Sequence, residues 1–300
     1  MTKSLLQQLY AQSHQLVKLQ DFIDQNQPDI ALNGLCGSAI SFVTSAIFNK
    51  TDRPFLVVLN DKEEAAYILN DLEQLIGEND VLFYPGRYRR PYQIEETDNA
   101  NVLLRAEVLN RINSRKKPAI IVTYPDALFE KVVTRKELTK NTLKINRSDT
   151  LSLDFLNEVL FEYHFKRVDF VTEPGEFSVR GGILDVFSFS HDEPYRIEFF
   201  GDEVESIRTF DVETQLSTDK VSRIRIIPNV ENKHLDESRE SFLKYISADT
   251  VIFLKNPELI YSRVDLFFEK AKKAFGELNS EIKQSEPAEL FANSALLKEQ

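Results

Sequence analysis

Two regimes of apolar patterning divide the chain. Up to about residue 140, short continuous apolar runs are separated by segments of helical period; beyond it, apolar and polar positions alternate. Leu5, Leu9, Leu16 and Leu19 predict an opening helix from Ser4 to Leu19. After Pro28, Ile30-Ala31-Leu32 reads as a first short strand, and Ser38 to Phe48 as the helix that follows it. Phe55-Leu56-Val57-Val58-Leu59 is the continuous run expected of a strand buried on both faces. Asp61 and Glu64 form a capping box for a helix to Ile76, and Gly77 ends it. Val81 to Tyr84 is a third strand, Asp98 caps a helix to Ile112, Ala119 to Val122 is a fourth strand, and Pro125-Asp126 opens another helix. Strand, loop and helix in succession, with short connections, predict a parallel sheet with helices on both faces.

From about Asn141 the period changes. Ser152 to Tyr163 reads as an amphipathic helix through Leu153, Leu156, Leu160 and Tyr163. Phe177 and Val179 then alternate with Ser178 and Arg180, and Gly181-Gly182 interrupts as a bulge or tight bend would. Leu184 and Val186 flank Asp185; Tyr195, Ile197 and Phe199 alternate with Arg196, Glu198 and Phe200. Gly201-Asp202 signals a hairpin turn, Val204 to Phe210 returns, and Val221 to Ile227 adds another strand. An antiparallel sheet with one half-buried face is expected, placed after the α/β segment. If Tyr195, Ile197 and Phe199 face the core, Arg196, Glu198 and Phe200 share the outer face, and Arg180 lies on the polar face of its own strand. Arginine and aromatic side chains exposed together have the composition of a protein-interface hot spot. The alternative is that Phe200 packs over a hairpin end and the arginines are merely solvated. Further on, Thr250 to Leu254 reads as a strand returning to the first sheet, followed by a helix from Pro257 to Phe275.

The loop after the first apolar run bears on catalysis. A phosphate-binding loop reads G-x-x-x-x-G-K-[ST], its backbone amides cradling phosphates and its lysine neutralising them. Gly34-Leu35-Cys36-Gly37-Ser38-Ala39-Ile40-Ser41 keeps the first glycine, Gly37 and the final hydroxyl of Ser41. Ala39 replaces the second motif glycine and Ile40 the lysine, and Ile40 has no donor for a phosphate. Thr123-Tyr124-Pro125 follows the fourth strand with no acidic pair for magnesium. The expectation is a nucleotide-type fold that has lost its chemistry: no catalytic residues, no metal and no cofactor.

Composition narrows the remaining classes. The chain has 300 residues, 42% hydrophobic and 28% charged, ordinary for a globular protein of about two domains. Cys36 stands alone, which rules out an intrachain disulfide framework and points to a reducing compartment, and with four scattered histidines it makes a structural zinc site a poor expectation. No signal peptide and no apolar stretch near membrane length is visible, so the location expected is cytoplasmic, without a membrane partner. A net charge of −11 argues against nucleic acid as partner of the whole chain. Two segments depart from that. Between Arg105 and Arg147 eleven Lys/Arg face four Asp/Glu, either a solvated helical face or a contact to nucleic acid or an acidic protein. Tyr84 to Tyr92, Tyr-Pro-Gly-Arg-Tyr-Arg-Arg-Pro-Tyr, reads as a loop whose aromatics could stack on bases.

Val168-Asp169-Phe170-Val171-Thr172-Glu173-Pro174-Gly175-Glu176-Phe177-Ser178-Val179-Arg180-Gly181-Gly182-Ile183-Leu184-Asp185-Val186-Phe187 resembles a segment of the bacterial transcription-repair coupling factors (Mfd). So does Pro194-Tyr195-Arg196-Ile197-Glu198-Phe199-Phe200-Gly201-Asp202-Glu203-Val204-Glu205-Ser206-Ile207-Arg208-Thr209-Phe210-Asp211, continued by Gln215-Leu216-Ser217. The excinuclease protein UvrB carries a related pattern, but keeps a glycine and a lysine where this chain has Ala39 and Ile40. The resemblance is strong over Val168 to Pro228 and looser before it. It implies a degenerate P-loop NTPase-like α/β domain, residues 1–140 and 229–300, interrupted by a small α+β domain over residues 141–228 that recruits the excinuclease protein UvrA. It implies that the contacts to UvrA fall on Arg180 of the Arg-Gly step, Arg196 after Pro-Tyr, and Phe200, the second phenylalanine of its pair. The family's ATP-driven DNA translocase motor and its polymerase-binding part have no counterpart in these residues. The chain thus looks like an amino-terminal fragment, touching RNA polymerase and DNA only through the rest of the polypeptide, whose carboxy-terminal part holds the docking face closed.

Overall fold

The computed structural model describes residues 3–26, 29–86, 99–114, 117–189, 191, 193–227, 238–277 and 285–300. They fall into two compact units: Met1–Gln93, Ser114–Lys131 and Ser241–Gln300 form the first, Ile94–Asn113 and Val132–Glu240 the second.

The chain opens with α1 (Lys3–Ala11) and α2 (His14–Asp24), not with one helix. Ser13 makes the break: its backbone is extended and its hydroxyl accepts from the Leu16 amide at 3.2 Å, an N-cap that starts α2 afresh. α3 (Ala39–Phe48) leads to β1 (Phe55–Val58) and α4 (Lys62–Ile76). Asp61 accepts from the Glu64 amide at 2.9 Å while the Glu64 carboxylate accepts from the Asn60 amide at 3.1 Å, and Gly77 closes the helix at φ +119°. β2 (Val81–Phe83) follows. α5 (Asn99–Ser114), which the pattern assigned to the α/β alternation, instead contributes Val102 and Ala106 to the core of the second unit; its predicted cap, Asp98, lies outside the described residues. β3 (Ile120–Thr123) and α6 (Pro125–Phe129) complete this stretch.

The second unit continues through β4 (Val132–Val133), α7 (Arg135–Lys140), β5 (Leu143–Asn146) and α8 (Leu153–Glu162), the last capped by Ser152. Six strands then form one sheet: β6 (Lys166–Arg167), β7 (Glu176–Arg180), β8 (Ile183–Val186), β9 (Tyr195–Phe200), β10 (Glu203–Phe210) and β11 (Ser217–Lys220). They lie in sequence order and pair antiparallel, except β6, which is parallel to β7. Gly181 (φ +59°) and Gly201 (φ +61°) sit in the turns between β7 and β8 and between β9 and β10. One face of the sheet carries Phe177, Leu184, Val186, Tyr195, Ile197, Phe199 and Ile207, buried with Leu156 and Leu160 of α8. β12 (Arg223–Ile226), expected as a further strand of this sheet, pairs with β5 in a separate ladder, and β13 (Arg239–Glu240) pairs with β4.

The chain re-enters the first unit with α9 (Phe242–Tyr245), β14 (Val251–Leu254), α10 (Pro257–Gly276), α11 (Pro287–Leu290) and α12 (Ser294–Lys298). β14 joins the parallel sheet as expected, in the order β14-β1-β3-β2. Phe55, Val57 and Leu59 pack with α2, α3 and α4, while Leu56 and Val58 are equally buried on the other face, as a two-sided parallel sheet requires. Ile30-Ala31-Leu32 is not a strand. Both edges of β1 are taken by β14 and β3, and Ile30 and Leu32 remain exposed. Among the described residues no helix is long and apolar enough to cross a membrane.

Candidate docking site

The alternation of β9 puts Phe200 outward with 81% of its surface exposed, beside the buried Phe199. With four-fifths of its surface in water, Phe200 is not packed down over the hairpin end. Ile183 pairs with Arg180 on one side and Glu198 on the other, and Asp185 pairs with Ser178 and Arg196. One face of the sheet therefore carries Arg180, Asp185, Arg196, Glu198 and Phe200 together. From the strand spacing and rise, Arg180 and Phe200 stand about 12 Å apart across it.

The two arginines are not equally free. Asp185 is fully buried, and Arg196 grips it with both arms, Nε to Oδ1 at 2.7 Å and Nη2 to Oδ2 at 2.8 Å. Arg196 Nη1 donates to the Gln215 carbonyl at 3.0 Å, and its guanidinium lies 4.6 Å from the centre of the Phe210 ring. Only 15% of the Arg196 side chain is exposed. The hydrogen bonds to Asp185 hold its pKa above the ordinary arginine value, against the lowering effect of burial. Arg180 Nη2 pairs with the same carboxylate but keeps 41% of its side chain exposed. The expectation that both guanidinium groups stand in solvent is thus corrected for Arg196. Period two decides which face a residue is on, but here a second small core of Val171, Phe187 and Phe210 and the turn at Gln215 cover one end of that face.

The arrangement has an electrostatic result. One buried carboxylate shared by two guanidinium groups leaves a surplus positive charge at the surface, while the neighbouring Arg208–Glu198 pair (2.6 Å) is neutral. A fixed cation and a bare ring then face outward from a molecule of net charge −11. That combination suits an acidic, partly apolar protein surface. Asp185, the residue that fixes the arginines, was not singled out from the sequence; its signal was a lone carboxylate at a strand position facing two arginines.

The glycine loop sits elsewhere. Gly34 (φ +83°) and Gly37 (φ +53°) turn the chain, and Ser38 precedes α3 in helical conformation without capping it. Ala39 and Ile40 are half-buried, with Ile40 packed on the core of the first unit. The Ser41 hydroxyl, where a phosphate loop would hold magnesium, is buried and donates to Asp71 of α4 at 3.1 Å. Of the other candidates, Tyr84 is buried and stacks on Phe242 at 4.0 Å, with residues 87–92 outside the described part. The Arg105–Arg147 stretch is not one helical face: it runs through both units, Arg105 is buried, and Lys131 donates to the Ala288 carbonyl at 2.6 Å. Burial lowers the Lys131 pKa, with Glu289 opposing. Among the described residues no group of three or more His, Cys, Asp or Glu gathers that could hold a metal ion.

Residues 143–231, which hold this six-stranded sheet and its Arg/Phe face, match the family described as the UvrB interaction domain. That match lies within a longer stretch of similarity to transcription-repair-coupling factors. It is 30% identical over 263 residues to the one of Bacillus subtilis (84% of this chain, 22% of that protein), and 28% over 246 residues to the one of Haemophilus influenzae (79% and 21%). To the one of Escherichia coli it is 26% identical over 233 residues (78% and 20%). The chain spans about a fifth of the length of the curated relatives it matches.

Proposed function

We propose that this chain is a docking module that recruits UvrA of nucleotide excision repair to lesions where RNA polymerase has stalled. The observation that carries the reading is Phe200, bare on the outer strand face that also carries Arg180 and, anchored on a buried carboxylate, Arg196. Phe200 is the apolar anchor, Arg180 makes the charge-assisted contact, and Arg196 supports both the contact and the face. Such a surface gives binding, not turnover. In the first unit the phosphate-loop lysine is replaced by the half-buried Ile40 and the Ser41 hydroxyl is engaged by Asp71, which supports a module without nucleotide chemistry, metal or cofactor. ATP-driven translocation, displacement of polymerase and contact with DNA then belong to the remaining parts of a longer cytoplasmic protein, as does any masking of the docking face. A pull-down of UvrA by the chain tests this: wild type retains UvrA and the triple variant Arg180→Ala, Arg196→Ala, Phe200→Ala does not. Undiminished retention by the triple variant removes the proposal.

A further inference from the structure

Arg180 has a second neighbour that the docking reading does not use. Phe170 is 59% exposed, and the Arg180 guanidinium lies 5.3 Å from its ring centre. This pair helps line a groove of about 460 Å³, bounded also by Arg167 of β6, by Val168 and Asp169 of the strip that follows it, and by Ser178 of β7. The strip that carries Phe170 is tied down at both ends. The Val168 amide donates to the Phe177 carbonyl at 2.9 Å, and the Ser178 hydroxyl to the Asp169 carbonyl at 3.1 Å. The Glu176 carboxylate accepts from the Thr172 amide (3.0 Å), the Thr172 hydroxyl (3.2 Å) and the Glu173 amide (3.1 Å). An exposed aromatic ring on a strip fixed in this way loses little conformational freedom when a partner covers it.

We propose that this groove is a second pocket of the docking face, taking an acidic segment of the same partner with Phe170 as its apolar anchor, Arg180 as its charge partner and Arg167 as a charge at its rim. The proposal rests on the docking reading above. Continuity selects the occupant: Arg180 lines the groove and stands on the same strand face as Phe200, so a partner seated on one borders the other. Charge selects its chemistry: Arg167 at the rim, and Arg180 and Arg196 sharing the one buried Asp185, outnumber the acidic groups Asp169 and Asp185, so the groove is net positive. The pocket widens the contact beyond a single ring, toward the patch of several anchors on which stable interfaces rest.

Surface plasmon resonance of the 300-residue chain against purified UvrA tests it, with Phe170→Ala, Arg167→Glu and Phe200→Ala each shown to be folded by circular dichroism. The expected result is about a tenfold weaker complex for Phe170→Ala and a slower, salt-sensitive association for Arg167→Glu. Unchanged binding by both groove variants while Phe200→Ala weakens the complex overturns the pocket and leaves the docking face standing. Unchanged binding by all three overturns the docking reading together with the pocket. Phe170→Gln, which keeps a long side chain without the ring, separates loss of the aromatic face from loss of bulk: it behaves like Phe170→Ala if the ring is the anchor, and binding at the wild-type level by this variant contradicts that role.

Discussion

Arg196 and Asp185 face each other across β9 and β8 in a two-armed pair, 2.7 and 2.8 Å long, whose carboxylate is wholly buried. Removing one partner of such a pair leaves the other charge stranded. Arg196→Ala is therefore expected to lower folding stability by about 3 kcal/mol, the low end for a broken buried pair, because Arg180 still reaches Asp185. Phe200→Ala, at a site already in water, is expected to change stability by less than about 0.5 kcal/mol. Urea unfolding of the two variants checks this. Equal midpoints for both would contradict the buried-pair account.

Gly175 turns the strip ahead of β7 at φ +88°, and a Cβ added there would lie 2.5 Å from the Phe189 ring, which is itself buried against Phe165. Gly175→Ala combines a left-handed backbone penalty with overpacking, each about 1–2 kcal/mol. A loss of about 2–4 kcal/mol in stability is expected. A variant as stable as wild type would show that this strip yields easily.

Asp211 titrates below its ordinary 3.8 because the Thr214 amide (2.8 Å) and hydroxyl (2.7 Å) donate to its carboxylate. With the folded value below the unfolded one, its contribution is present above the unfolded value and is lost as pH falls through the folded one. The turn it closes delivers the Gln215 carbonyl to Arg196, so this corner of the Arg/Phe face should loosen only below about pH 4. Carbon-detected NMR of the Asp211 carboxyl is the check; a midpoint at or above 3.8 contradicts it.

Calorimetry with ATP and magnesium is expected to give no saturable binding at micromolar nucleotide. Ile40 supplies no donor, and Ser41 already has Asp71 as partner. A micromolar isotherm would restore a nucleotide site to the first unit.

Where local chemistry alone decides the outcome, the sequence was readable. The Asp61–Glu64 cap and Gly77 bound α4, the run from Phe55 is the core of a parallel sheet, and the alternation along β9 put Phe200 outside. One local signal was overridden by the pattern: the Ser13 N-cap restarts a helix that leucine spacing alone would continue. The other readings failed where a tertiary partner decided. Ile30-Ala31-Leu32 has strand composition but no free edge of β1 to join. Nothing in the spacing of Val102 and Ala106 tells which of two cores they enter. The Arg/Phe face was legible as a set of directions, but not in its support. Arg196 leaves the solvent because Asp185 is buried opposite it and Phe210 lies beneath it, a relation between β8, β9 and β10 that no single strand contains.

Phe200 and the two arginines on its strand face form the proposed contact for UvrA. Isothermal titration of UvrA into the chain and into the stably folded Phe200→Ala variant tests it most directly. The account predicts a loss of about 2 kcal/mol or more, roughly thirtyfold in affinity. An unchanged dissociation constant for Phe200→Ala would contradict it.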